Sequence, residues 1–119
     1  MTPRLAFQIA AVCGFLAVAL GAFGAHGLKS TLSNLGTIDV FETAVRYQFF
    51  HALAMLVVAR LRPFLAPVWW CFLIGIVVFS GSLFILALTG LKWLGAITPI
   101  GGVAFLAGWL LLVFRAPRD

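Results

Sequence analysis

The side chains with the most chemical potential gather on one short stretch. Glu42 and Arg46 stand four residues apart, and Tyr47, Gln48 and His51 follow. On a helix turning about 100° per residue, Glu42 and Arg46 share one side and can pair. Tyr47, Gln48 and His51 fall in a band on the opposite side. Intramembrane ionisable groups mark proton, ion or ligand paths, and imidazole titrates near neutral pH. The same set could instead hold a bundle together. Arg46 would then pair with Glu42 and snorkel to the nearer surface, while the other three bond across to neighbouring helices. Both readings require these stripes to face protein, water or the membrane interface.

Other chemistries have less support. Haem or metal ligation needs two ligands at similar depth. His26 stands at the end of one apolar run, while His51 lies about 13 Å further along its helix than residue 42. No Ser–His–acid or Cys–His spacing signals a nucleophile. No enzyme activity, catalytic residue, metal or cofactor is therefore expected. Cys13 and Cys71 both lie within apolar runs, without a CxxC pair, and read as buried packing residues.

The elements that position the polar set are apolar runs. Residues 5–25, 64–91 and 93–114 contain no Asp, Glu, Lys or Arg. The remaining run is charge-free only from Tyr47 to Ala59, thirteen residues. That is roughly 20 Å, about two thirds of a bilayer's hydrocarbon thickness. A crossing helix must begin near residue 40 and carry Glu42 and Arg46 with it. The predicted spans are 5–25, 40–60, 68–88 and 93–114, in one domain.

Composition agrees. The 119-residue chain is 64% hydrophobic and 9% charged, with mean hydropathy +1.17. Soluble domains are about half apolar and a quarter charged, and a chain this short could not hide the excess from water. The net charge of +5 is spread singly at the ends of the runs. It is not a nucleic-acid footprint, and the partner it implies is the lipid bilayer. Arg4, Arg60, Arg62, Arg115 and Arg118 fall on one side of a four-span chain, against Lys29 and Lys92 on the other. The positive-inside rule then puts both termini in the cytoplasm.

Details within the runs carry expectations. Ala6, Ala10 and Gly14, then Ala17, Gly21 and Ala25, form small-residue rows suited to close helix approach. Leu28, Leu32, Leu35 and Ile38 recur at near-helical spacing and predict a short amphipathic surface helix. Thr37 or Asp39 is expected to cap the next helix. Trp69 and Trp70 suit a headgroup-level anchor, and Ser80–Gly81–Ser82 suits close packing or a hydrogen bond to a facing helix. Pro99 is expected to kink the last run, because a helix starting there would span only about 24 Å.

Four strings carry a resemblance. They are Gly21–Ala22–Phe23–Gly24–Ala25–His26–Gly27–Leu28, then Phe41–Glu42–Thr43–Ala44–Val45–Arg46–Tyr47–Gln48 with His51–Ala52–Leu53–Ala54, then Phe79–Ser80–Gly81–Ser82–Leu83, then Thr98–Pro99–Ile100–Gly101–Gly102. In this order, over essentially the whole chain, the protein is similar to the domain-of-unknown-function family 423, the YgdD/YwdK-like small inner-membrane proteins. The resemblance implies a bacterial inner-membrane, multi-pass protein without an assigned activity. It makes His26, Glu42, Arg46, Tyr47, Gln48 and His51 the family-motif polar set. In an antiparallel hairpin His26 could also approach Glu42.

The expected architecture is an all-α, four-helix transmembrane bundle, N-in and C-in, with a polar seam supplied by the second helix. The expected role is a non-enzymatic structural or accessory membrane component, with a membrane-protein partner or a second copy of the chain. The rival is an oligomeric small-solute or ion transporter whose path follows the seam.

Overall fold

The computed structural model describes residues 1–118. Helix α1 runs Pro3–Ala25, with Thr2 capping it by accepting from Leu5 N at 3.1 Å. A short α2, Lys29–Leu35, follows and ends at Gly36, whose φ of 66° is the left-handed conformation glycine adopts freely. Helix α3 is Ile38–Arg60. Next come α4, Ala66–Gly75, a π-helical turn, Ile76–Ser80, and α5, Gly81–Thr89, on one continuous axis. A 3₁₀ turn, Lys92–Ala96, leads into α6, Thr98–Phe114. The described residues are all-helical, without strands. Three helices are long and apolar enough to cross a membrane: Pro3–Ala25, Ala66–Thr89 and Lys92–Phe114.

Helix α3 is the centre of the assembly. Its buried positions include Phe41, Ala44, Gln48, His51, Met55 and Val58. Steps of three and four keep them on one stripe. α1 packs along α3 most extensively, while α4, the π turn and α5 cover α3 elsewhere. Buried Ala6, Ala10 and Ala17 make the α1 face narrow, as the small-residue rows predict. α6 lies against α4 and the π turn.

Reciprocal insertion holds α4 to α6. A methyl on Gly108 would strike the Phe72 ring, and one on Gly75 would strike the Phe105 ring. Each aromatic therefore fills the gap left by a glycine opposite. At Gly101 the neighbour is the Phe79 backbone itself, so the chains approach as closely as two helices can.

Several local expectations are revised. The α-helix of the last run starts at Thr98 with Pro99 in its first turn, where a missing N–H costs nothing. The 3₁₀ turn before it restores the length, giving 23 helical residues from Lys92. Thr37 occupies the cap position of α3 but makes no capping bond. Its hydroxyl donates instead to Ala87 O at 2.7 Å, tying the start of α3 to the end of α5. Only Trp70 points outward, while Trp69 is fully buried with Ala6, Val58 and Leu65. Neighbours on a helix diverge by about 100°, so one position faces the core when the other faces out. The predicted amphipathic helix is α2, anchored by buried Leu32 against Phe41 and Ala87.

Candidate functional site

The polar set of α3 divides into two places with opposite environments. Gln48 and His51 are buried, whereas Glu42, Arg46 and Tyr47 are exposed on the protein surface. The helical wheel separates these stripes correctly except at Tyr47, which sits at the edge of the buried band.

His51 lies in an aromatic box. Its ring stacks on Phe105 with centroids 3.6 Å apart, while Phe72 and Trp109 present their edges at 5.4 and 5.9 Å. Nδ1 bonds to Tyr47 O at 2.8 Å, and since a carbonyl only accepts, Nδ1 carries the proton. Nε2 then accepts the Trp109 indole N–H at 3.1 Å. Both nitrogens of a neutral imidazole are thus occupied, leaving no lone pair for a metal. Among the described residues no group of three His, Cys, Asp or Glu is placed to hold a metal ion.

Other buried polar groups also bond across helices. Gln48 Nε2 donates to Cys13 O at 2.9 Å, joining α3 to α1. Ser80 Oγ, at the π turn, donates to Ala44 O at 2.8 Å, and Ser82 shares a 2.6 Å bond with Thr98. The Ser80–Gly81–Ser82 string, expected to suit close packing or a hydrogen bond to a facing helix, supplies two interhelical bonds.

Glu42 and Arg46 stand on the rim of a groove at the other end of α1. Gly21, Gly24, Phe41 and Val45 make its floor, with Lys29 and the Glu42–Arg46 pair beside them, enclosing about 360 Å³. A second, wholly apolar hollow of about 230 Å³ continues past Val45 to Ala17 and Phe50. Arg46 Nη2 is 3.5 Å from Glu42 Oε2, and both side chains are more than half exposed. Such a pair is weak in water and its geometry is loose. His26 is exposed, and its side chain makes no hydrogen bond among the described residues, to Glu42 or otherwise.

The residues that complete the histidine box, Phe72, Phe105 and Trp109, do not stand out in the sequence as polar chemistry. The four-residue spacing of Phe105 and Trp109 on one helix face was the available signal.

Apolar helices of spanning length, knitted by buried polar bonds, define a multi-pass integral membrane protein. The comparisons give its family: the model for "Protein of unknown function (DUF423)" matches residues 20–102, and the chain belongs to that family. It is 45% identical over 116 residues to the UPF0382 membrane protein YwdK of Bacillus subtilis, covering 92% of this chain and 94% of that one. It is 44% identical over 125 residues to the UPF0382 inner membrane protein YgdD of Escherichia coli K12, covering 99% and 93%. A Staphylococcus haemolyticus membrane protein, UPF0382 SH2409, is 45% identical over 114 residues, covering 92% and 93%. No solved structure matches. These relatives are named for their membrane location without an activity.

Proposed function

We propose that this protein is a non-enzymatic structural or accessory component of the bacterial inner membrane, crossing it four times with both termini in the cytoplasm. The Escherichia coli relative's name supports the compartment. At about 35 Å, α3 has the length to cross beside the three apolar helices. Its polar stripe is covered by α1, α4 and α6, and the cation asymmetry supports the orientation.

The observation that carries this reading is that the polar stripe bonds to neighbouring helices and to its own backbone. A path for ions or solutes needs side chains free to exchange partners with water. Here the Gln48 amide nitrogen and both nitrogens of His51 bond within the bundle. None of the three clefts described for the molecule is lined by Gln48 or His51. Trp69 Nε1 is the buried side-chain polar atom left without a partner among the described residues, and it lies in the apolar cluster of Ala6, Val58 and Leu65. What remains open is the groove lined by Gly21, Gly24, Phe41 and Val45.

The test is cysteine accessibility combined with flux. Cys13 and Cys71 are replaced by alanine, and single cysteines are introduced at Ala44, Gln48 and Ala52. Membrane-impermeant thiol reagents applied from either side should leave all three unlabelled, and reconstituted vesicles should show no protein-dependent proton or cation flux. Labelling at position 48 together with a flux would replace this reading with a transporter.

A further inference from the structure

Three arginines meet at the end of the molecule opposite the Glu42–Arg46 groove. Arg4 stands in the first turn of α1, Arg60 ends α3, and Arg62 follows it. They line one cleft of about 490 Å³, together with Phe7, Gln8 and Ala59. The folded chain thus gathers, from positions more than fifty residues apart, three groups that repel one another.

Among the described residues no carboxylate pairs with any of the three arginines. The chain has three acidic residues, Asp39, Glu42 and Asp119. Asp39 and Glu42 belong to the opposite end of α3, and the ion pair among the described residues is Arg46–Glu42. Arg62 is nevertheless held in place. Its Nη1 donates to Leu61 O at 2.9 Å and Ala59 O at 3.3 Å, leaving its other N–H groups uncommitted. Arg4 and Arg60 are exposed, with guanidinium forks that match phosphate oxygens in pairs. Gln8 adds an amide, and exposed Phe7 adds an apolar wall on the side where the cleft leaves the helix ends.

The geometry points to this cleft as a binding site for the phosphate headgroup of an anionic phospholipid. Charge complementarity selects an anion. The position at the ends of two membrane helices, with an aromatic wall beside the cations, selects one that carries acyl chains. Topology alone would be satisfied by cations anywhere on that side. It does not require three of them around one cleft.

The experiment uses the full chain, purified in mild detergent and stripped of lipid. Phosphatidylglycerol or phosphatidylcholine is added, and retained lipid is read by native mass spectrometry alongside the thermal unfolding midpoint. Retention and stabilisation are expected with phosphatidylglycerol and not with phosphatidylcholine. The variant Arg4→Gln/Arg60→Gln, which keeps the Arg62 contacts to α3, should lose affinity by about fivefold per arginine removed. The control Lys29→Gln/Lys92→Gln removes equal charge elsewhere and should retain the lipid. If the double arginine variant fails to fold, the single variants Arg4→Gln and Arg60→Gln carry the same comparison. Equal loss in the lysine control, or equal retention of the two lipids, would overturn the site. Inorganic phosphate binding the stripped protein as tightly as phosphatidylglycerol would replace the lipid with a soluble phosphoryl ligand.

Discussion

Trp109 and His51, 58 residues apart in the chain, fix each other's orientation through one hydrogen bond from indole Nε1 to imidazole Nε2. The bond sets the histidine tautomer, because the opposite ring nitrogen is committed to Tyr47 O. It also ties α6 to α3, beside the stacking of His51 on Phe105.

Trp109→Phe keeps an aromatic ring beside Phe72 but leaves His51 Nε2 buried without a donor. The expected cost is about 1–2 kcal/mol, measured by denaturant titration in detergent micelles. His51→Phe in the Trp109→Phe background should recover part of it, since an apolar ring in the box has no lone pair to satisfy. Strictly additive losses in that double-mutant cycle would mean the hydrogen bond carries no energy of its own.

Glycine positions offer a sharper contrast. At Gly101 an added methyl meets Phe79 backbone, which cannot rotate away as a side chain can. Gly101→Ala should therefore cost at least about 1–3 kcal/mol, by forcing α6 away from the π turn. Gly14 and Gly81 have open space around the equivalent position. Alanine there should be neutral or stabilise by up to about 1 kcal/mol through lower backbone entropy. Unfolding midpoints of the three variants, compared side by side, decide the matter. A harmless Gly101→Ala would show that the helices are further apart than described.

Arg46→Ala bears on a different expectation. Sheltered inside the bundle, the Glu42–Arg46 pair would be costly to break. The structure instead leaves both side chains more than half exposed, at 3.5 Å. The single variants Arg46→Ala and Glu42→Ala should each change stability by less than about 0.5 kcal/mol. Association with a partner through the adjoining groove, followed by cross-linking in membranes, is where the pair's removal should register. A large loss of fold stability in Arg46→Ala would place the pair back among the supports of the bundle.

The limits of sequence reading follow from the same residues. Run lengths and charge gaps were legible because the bilayer sets an apolar length and shows where charge interrupts it. Periodicity also separated Glu42 and Arg46 from Gln48 and His51. It could not say which stripe faces protein, since that depends on where α1, α4 and α6 lie around α3. Trp69 and Trp70 show the same gap: composition suggests an interface anchor for both, and only packing decides which one turns inward. The arginine cleft was hidden for a further reason. Arg4 and Arg60 are remote in sequence, and as isolated cations they signal orientation only.

Gln48 separates the structural and transport readings most directly. Its amide N–H is spent on Cys13 O, within a buried contact between α1 and α3. Gln48→Leu removes that bond, and the apolar replacement has no polar group left to satisfy, so a loss of about 0.5–1.5 kcal/mol is expected. Gln48→Glu fills a similar volume, but its ionised carboxylate cannot donate to the carbonyl it would face. A loss of about 2.5 kcal/mol or more is expected for that charge, seen as poor assembly or early unfolding. A water-lined path would reverse the order: the carboxylate would be hydrated and tolerated, while leucine would block conduction without harming the fold. Parallel measurements of unfolding midpoint and vesicle flux for the two variants distinguish the cases, and a stable Gln48→Glu protein would count against the dry bundle.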